Sequence, residues 1–185
     1  MKILITGTPG TGKSSVAKEI CSRKGWPLLS LKEIAGKHGC IIGKEGGERI
    51  VDVRKLRAAT IRELKGKKNA VVEGHLGCEF RLPVKFVFVL RTHPDELKER
   101  MRKRKYPKMK IEENLMAEML DYCSQVSAAH YRVPILEVDT TKRTAKEAAG
   151  RIISFLEGRV KNLDSIDWGP ELRKKTLRNI RISSL

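Results

Sequence analysis

Apolar positions along this chain fall into five short runs, and between them lie stretches with helical spacing. The first run, Ile3, Leu4 and Ile5 within Lys2 to Thr6, reads as a buried parallel strand. From Ser14 the spacing turns helical, with Val16, Ala17 and Ile20 on one face. Gly25 and Pro27 end that helix, and Pro27-Leu28-Leu29 reads as a second strand. Ser30 with Glu33 forms a capping box for a helix from Leu31 to about Lys37. Gly39 to Gly47, rich in glycine and charge, reads as a mobile loop. Asp52 caps a helix over roughly Val53 to Lys65, and NAVVE (Asn69 to Glu73) is a third strand ending in a carboxylate.

The fourth run, VKFVFVL (Val84 to Leu90), is the most β-like stretch of all. Thr92, with Asp95 three residues on, starts a helix to about Lys105. A turn at Tyr106-Pro107 leads into one long helix over about Ile111 to Ala129. PILEV (Pro134 to Val138) is the fifth strand, and Thr144 with Glu147 caps a helix ending near Gly158. Strands alternating with helices give an α/β fold, a five-stranded parallel sheet covered on both faces. After Gly158 apolar periodicity weakens, and Gly169-Pro170 interrupts the segment. It carries Arg159, Lys161, Arg173, Lys174, Lys175, Arg178 and Arg181, and reads as a basic extension with one helix from Pro170 to Ile180. It suits either a partner or RNA contact, or a solvated tail.

Chemistry enters between the first strand and its helix. Gly7 to Ser14 match GxxxxGK[ST], with Gly7, Gly12, Lys13 and Ser14 at the fixed places. Glycines let successive backbone N–H groups turn inward around a phosphate, and the helix that follows aims its positive end at the same anion. Lys13 can reach the β- and γ-phosphates, and the Ser14 hydroxyl can hold Mg²⁺. Glu73 closes a strand expected beside this loop, where a carboxylate can hold Mg²⁺ or orient an attacking group. His75 follows two residues later and can relay a proton or position a water. In KERMRKRKYPKMK, Arg100 and Arg104 share a helical face, where a guanidinium can neutralise a moving phosphoryl group or stack on adenine. No NKxD guanine-specificity motif occurs, which disfavours a GTPase.

Composition adds a second kind of partner. Thirty-nine Lys and Arg against 22 Asp and Glu leave a formal charge of +17, far more than one nucleotide pocket requires. That excess points to a polyanion such as RNA, and with aromatics at 5% the contact would be mainly to phosphate. Cys21, Cys40, Cys78 and Cys123 are far apart, without a CxxC pair or a histidine at metal spacing, so they read as reduced thiols. The first apolar run is too short for a secretion signal and nothing approaches membrane-spanning length, so a cytoplasmic protein without a membrane partner is expected.

GTPGTGKSS, VVEGH, FVFVLRTHPDELKERMRKRKY and KIEENLMAEML, in this order, resemble the divergent adenylate-kinase-like ATPases of small-ribosomal-subunit assembly. That group includes eukaryotic nuclear adenylate kinase and its archaeal counterparts. The resemblance covers roughly residues 1–157, leaving 158–185 as an extension outside it. It implies a P-loop fold of the nucleoside-monophosphate-kinase type, with a small monophosphate-binding insert at about 30–53 and a short lid at about 103–113. It places ATP on Gly10, Gly12, Lys13, Ser14 and Ser15, with Arg104 on the lid side. The family's Asp-x-His motif, tied to Mg²⁺ and ATP hydrolysis, falls on Glu73-Gly74-His75. It further implies AMP or another nucleoside monophosphate as acceptor, ATPase activity, a platform ribosomal protein as partner and a role in late maturation of small-subunit rRNA. Glu73 stands where the family has aspartate, EGHLG lacks the arginine that ordinary adenylate kinases carry there, and the lid offers Lys108 and Lys110 instead of further arginines. The remaining expectations are an assembly switch with little monophosphate kinase activity, or a kinase of a small metabolite.

Overall fold

The computed structural model describes residues 1–183, apart from the side chains of Glu48 and residues 177–183. Seven strands are present: β1 (Lys2–Gly7), β2 (Leu28–Ser30), β3 (Ile41–Glu45), β4 (Glu48–Val51), β5 (Ala70–Glu73), β6 (Phe86–Arg91) and β7 (Ile135–Asp139). The helices are α1 (Lys13–Lys24), α2 (Leu31–Lys37), α3 (Val53–Leu64), α4 (Pro94–Lys103), α5 (Lys108–Met119), α6 (Tyr122–His130), α7 (Ala145–Leu156) and α8 (Gly169–Ser183). A 3-10 turn, His75–Glu79, follows β5.

Five strands form one parallel sheet in the order β2-β5-β1-β6-β7, with the glycine-loop strand at its centre. The apolar alternation of β1 explains the two layers around it. Ile3 and Ile5 pack with Phe88 and Leu90 against Val16, Ala17 and Ile20 of α1 and Ala148 and Ile152 of α7. Leu4 faces the other way, packing with Val72, Val87 and Val89 against α2 and α3. A smaller third core joins α4, α5 and α8 through Leu97, Met101, Leu115 and Leu172. Among the described residues no helix is long and apolar enough to cross a membrane.

All five expected strands are present, and the Asp52 and Thr144 caps form, the latter as a full capping box with Glu147. Four local expectations need correction. Gly39 to Gly47 is not a loop: β3 and β4 form an antiparallel hairpin through it. Its two-residue turn is Gly46-Gly47 with φ of +55° and +82°, the left-handed pair that suits a tight hairpin. The hairpin projects Ile42 and Ile50 to solvent, so the sequence shows no buried alternation to mark it.

The long helix over 111–129 is two helices. Asp121 adopts a left-handed conformation, φ 54°, and its carboxylate is held by Arg91, which breaks the rod between α5 and α6. The α4 cap moves from Thr92 to His93, whose side chain accepts from the Asp95 N–H, while Pro94 starts the helix. Ser30 stands at the N-cap of α2 but makes no cap bond; its hydroxyl donates to Glu73 instead, 2.8 Å away. The segment after Gly158 lies along the body: Asp164 N–H donates to Glu137 O at 3.2 Å, and Lys175 pairs with Glu112 at 2.6 Å. Arg178 and Arg181, counted above among its cations, have side chains outside the described residues.

Candidate active site

The sheet order determines where chemistry can occur. β1 and β5 are parallel neighbours with Ile5 in register with Glu73, so the end of β5 lies beside the loop that leaves β1. Gly7 ends β1, where a Cβ would collide with the Leu90 carbonyl. Gly12 caps α1 with φ 95° in the left-handed region, which turns the chain sharply into the helix. The Ser14 and Ser15 side chains at the first turn of α1 are exposed.

Gly10, Gly12, Lys13, Ser14, Ser15, His75 and Arg104 line one hollow of about 210 Å³, with Pro9 and Tyr106. Lys13, Ser14, Glu73, His75 and Arg104 also line a larger cleft of about 830 Å³, which runs to α2 and the β3–β4 hairpin and adds Lys32, Arg49 and Lys110. A third hollow of about 270 Å³ is formed by Gly10, Thr11, Gly12, Ser15, Arg100, Arg104, Thr140 and Arg143. Arg104 and Ser15 are shared by the first and third spaces, so these meet over the loop.

Lys13 Nζ donates to the Thr8 carbonyl at 3.0 Å, folding the ammonium back over its own loop. Burial pushes its pKa below the usual lysine value, while Cys123, Glu73 and Glu118 pull the other way. Glu73 is nearly buried; one carboxylate oxygen accepts from Ser14 Oγ at 3.1 Å and the other from Ser30 Oγ at 2.8 Å. Hydroxyl and carboxylate side by side are the hard oxygen ligands that Mg²⁺ takes together with water and phosphate. The residues fit that ion.

Gly74 places His75. A Cβ at Gly74 would come within 2.8 Å of the Leu31 side chain, so glycine lets the chain turn under α2. His75 Nδ1 lies 3.3 Å from the Gly7 carbonyl, which can only accept. A proton on Nδ1 suits that carbonyl; the Cys123 thiol also lies 3.8 Å from Nδ1, and Nε2 has no protein partner among the described residues.

The two arginines differ. Arg104, at the C-cap of α4, is exposed and unpaired among the described residues. Arg100 is tied down: Nε donates to Glu96 at 2.9 Å, and Nη2 donates to the Thr140 and Thr141 carbonyls at 2.6 and 3.1 Å. Arg100 is thus a wall of the third hollow, while Arg104 can swing toward an anion.

Several lining residues were not singled out from sequence, among them Arg49 and Lys32 on the cleft and Thr140 and Arg143 in the third hollow. Nor was the buried ion cluster beside the loop, where Arg91 meets Glu118, Asp121 and Glu137. The charged end of an otherwise apolar strand, FVFVLR, was the available signal for Arg91.

Strand order, glycine loop and flanking helices define a P-loop nucleoside-triphosphatase fold of the nucleoside-monophosphate-kinase type. A solved deoxyadenosine kinase from M. mycoides with bound dATP shares it, at TM-score 0.57 and 17% identity, covering 85% of this chain and all of that one. Residues 3–121 match the family model described as an AAA domain. Two archaeal proteins named "Putative adenylate kinase" are each 39% identical: that of Pyrococcus abyssi over 170 residues, 91% of both chains, and that of Archaeoglobus fulgidus over 181 residues, 95% and 96%. The chain belongs to this divergent adenylate-kinase-like family and is a kinase or ATPase of the P-loop type.

Proposed function

We propose that this chain is an ATP-dependent nucleoside monophosphate kinase, acting on AMP, which also hydrolyses ATP and works in late maturation of the small ribosomal subunit. The observation that carries the catalytic part is the shared Arg104 and P-loop lining of adjoining hollows, one leading toward Arg100 and the other toward Glu73, His75 and the hairpin. ATP would lie across the loop, with its adenine beside Arg100 and its phosphates at Lys13, Ser14 and Ser15. The monophosphate would enter from the α2–hairpin side, where Lys32, Arg49 and Lys110 supply positive charge. A phosphate oxygen of AMP attacks the γ-phosphorus, the bond to the β–γ bridging oxygen breaks, and two ADP result. Lys13 and Arg104 would neutralise the moving group, so the barrier falls mainly by positioning and charge. Mg²⁺, when bound at Ser14 and Glu73, would screen the phosphate oxygens.

In hydrolysis water replaces AMP, and His75 Nε2, without a protein partner among the described residues, would orient it. His75→Ala is therefore expected to lower phosphate release by about a hundredfold, the usual size of a general-base effect, with ATP affinity little changed. Equal loss of affinity and turnover would remove His75 from catalysis. The ribosomal setting draws on the family resemblance and the formal charge of +17, with a platform ribosomal protein and rRNA phosphates as partners.

The deciding experiment follows ADP and inorganic phosphate separately during ATP·Mg²⁺ turnover, with and without AMP. ADP that rises with AMP while phosphate stays low supports the kinase. Phosphate release indifferent to AMP would overturn it in favour of an ATP-hydrolysing assembly switch.

A further inference from the structure

The Glu118 carboxylate, on α5, is almost wholly buried. One oxygen accepts from Thr8 Oγ1 at 2.5 Å. The other accepts from Arg91 Nε at 2.9 Å, from Thr92 N–H at 3.0 Å and from the Trp168 indole N–H at 3.3 Å. Thr8 is the second residue of the glycine loop, and its carbonyl is the one that holds Lys13. Trp168 immediately precedes α8. A single carboxylate thus connects the nucleotide loop to the C-terminal segment.

That segment is secured at several further points. Asp164 bonds Arg143 and Arg151, and Ile166 N–H donates to Glu137 at 3.3 Å. Glu137 in turn pairs with Arg91. Trp168 also lies edge-on to His93, ring centroids 5.1 Å apart.

We propose that Glu118 is a positioning residue for the P-loop, and that through it the segment from Asp164 to Lys175 is coupled to nucleotide binding. The inference rests on the reading that the P-loop binds ATP. Thr8 is held at both polar groups: its carbonyl accepts from Lys13 Nζ and from Thr11 Oγ1 at 2.9 Å, and its hydroxyl donates to Glu118. When Lys13 turns to the phosphates it leaves the Thr8 carbonyl to Thr11, and the Glu118 bond is the link that still ties Thr8 to the body outside the loop. Nucleotide binding therefore changes the demand on a carboxylate that Trp168 shares. Coupling of this kind is reciprocal: if ATP tightens Trp168, loosening Trp168 weakens ATP.

The chain has two tryptophans, so Trp26→Phe leaves Trp168 as the sole indole reporter. ATP·Mg²⁺ is titrated into this full-length variant while emission is followed, and binding is measured independently by calorimetry. Trp168 emission is expected to change along the calorimetric isotherm. Thr8→Val in the same background removes the hydroxyl that reaches Glu118, so it should bind ATP more weakly and lose the Trp168 emission change that accompanies whatever binding remains. Trp168→Phe, which keeps an aromatic ring and removes the N–H, should weaken ATP binding about fivefold, the lower range of couplings between sites, with kcat at saturating ATP little altered. Binding heat without an emission change, or an unaltered ATP Kd in Trp168→Phe, overturns the coupling alone. No binding heat in the parent chain would overturn the ATP reading and the coupling together.

Discussion

Lys13→Ala is expected to abolish useful turnover while leaving a folded chain. In the structure the Lys13 ammonium makes one protein hydrogen bond, to the Thr8 carbonyl, so its removal leaves the two sheet cores untouched. What is lost is the one loop cation placed to follow charge onto the γ-phosphate. A preorganised donor of this kind is worth about a hundredfold to a thousandfold in rate. Kinase and hydrolysis activities should fall together, because both move the same phosphoryl group. Lys13→Arg should not restore them, since a planar, forked guanidinium cannot occupy the place of a compact ammonium. In the parent chain, burial holds the Lys13 pKa below the ordinary lysine value. Only the protonated form attracts phosphate, so ATP affinity should decline as pH rises, at a lower pH than an ordinary lysine would require. Calorimetry across that range, with melting by circular dichroism as the control for folding, tests both points. Parental turnover in Lys13→Ala would mean that the γ-phosphate does not sit on this loop.

The parts of the fold that sequence revealed are those where local pattern and burial agree. β1, β5 and β6 are buried on both faces, so their apolar runs could hardly be anything else. Glu73 and His75 could be placed near the loop because parallel strands end on the same side of a sheet. Where tertiary contacts decided, sequence pattern was insufficient. The periodicity of α5 continues plausibly into α6, and only the long-range hold of Arg91 on Asp121 explains the break. Ser30 and Glu33 have the spacing of a capping box, yet a strand neighbour 43 residues away captures the serine hydroxyl. Arg100 and Arg104 share a helical face, yet Arg100 is bound to the backbone carbonyls just after β7 and Arg104 has no side-chain partner among the described residues.

Arg91→Met carries the largest expected loss of stability, about 3–5 kcal/mol, the usual consequence of breaking a buried ion pair on one side. The Arg91 side chain is 2% exposed and is shared by Glu118, Asp121 and Glu137. Burial alone would oppose its charge, but Glu118 and Glu137 outweigh that and hold its pKa above the ordinary arginine value. A pKa raised in the fold contributes stability at every pH below the ordinary arginine value, so alkaline titration should not melt the cluster. Methionine would fill much of the space yet leave Glu118 without its counter-charge in a site where water does not reach. Arg91→Lys keeps the charge but cannot serve three acceptors with a planar fork, so it should lose less than methionine and more than nothing. Denaturant unfolding of the three chains gives the order directly. A methionine variant as stable as the parent would show that the cluster adds little to stability. With the expected order, the charged end of one central strand supports three elements at once: the α5–α6 break through Asp121, the edge strand β7 through Glu137, and the P-loop through Glu118 and Thr8.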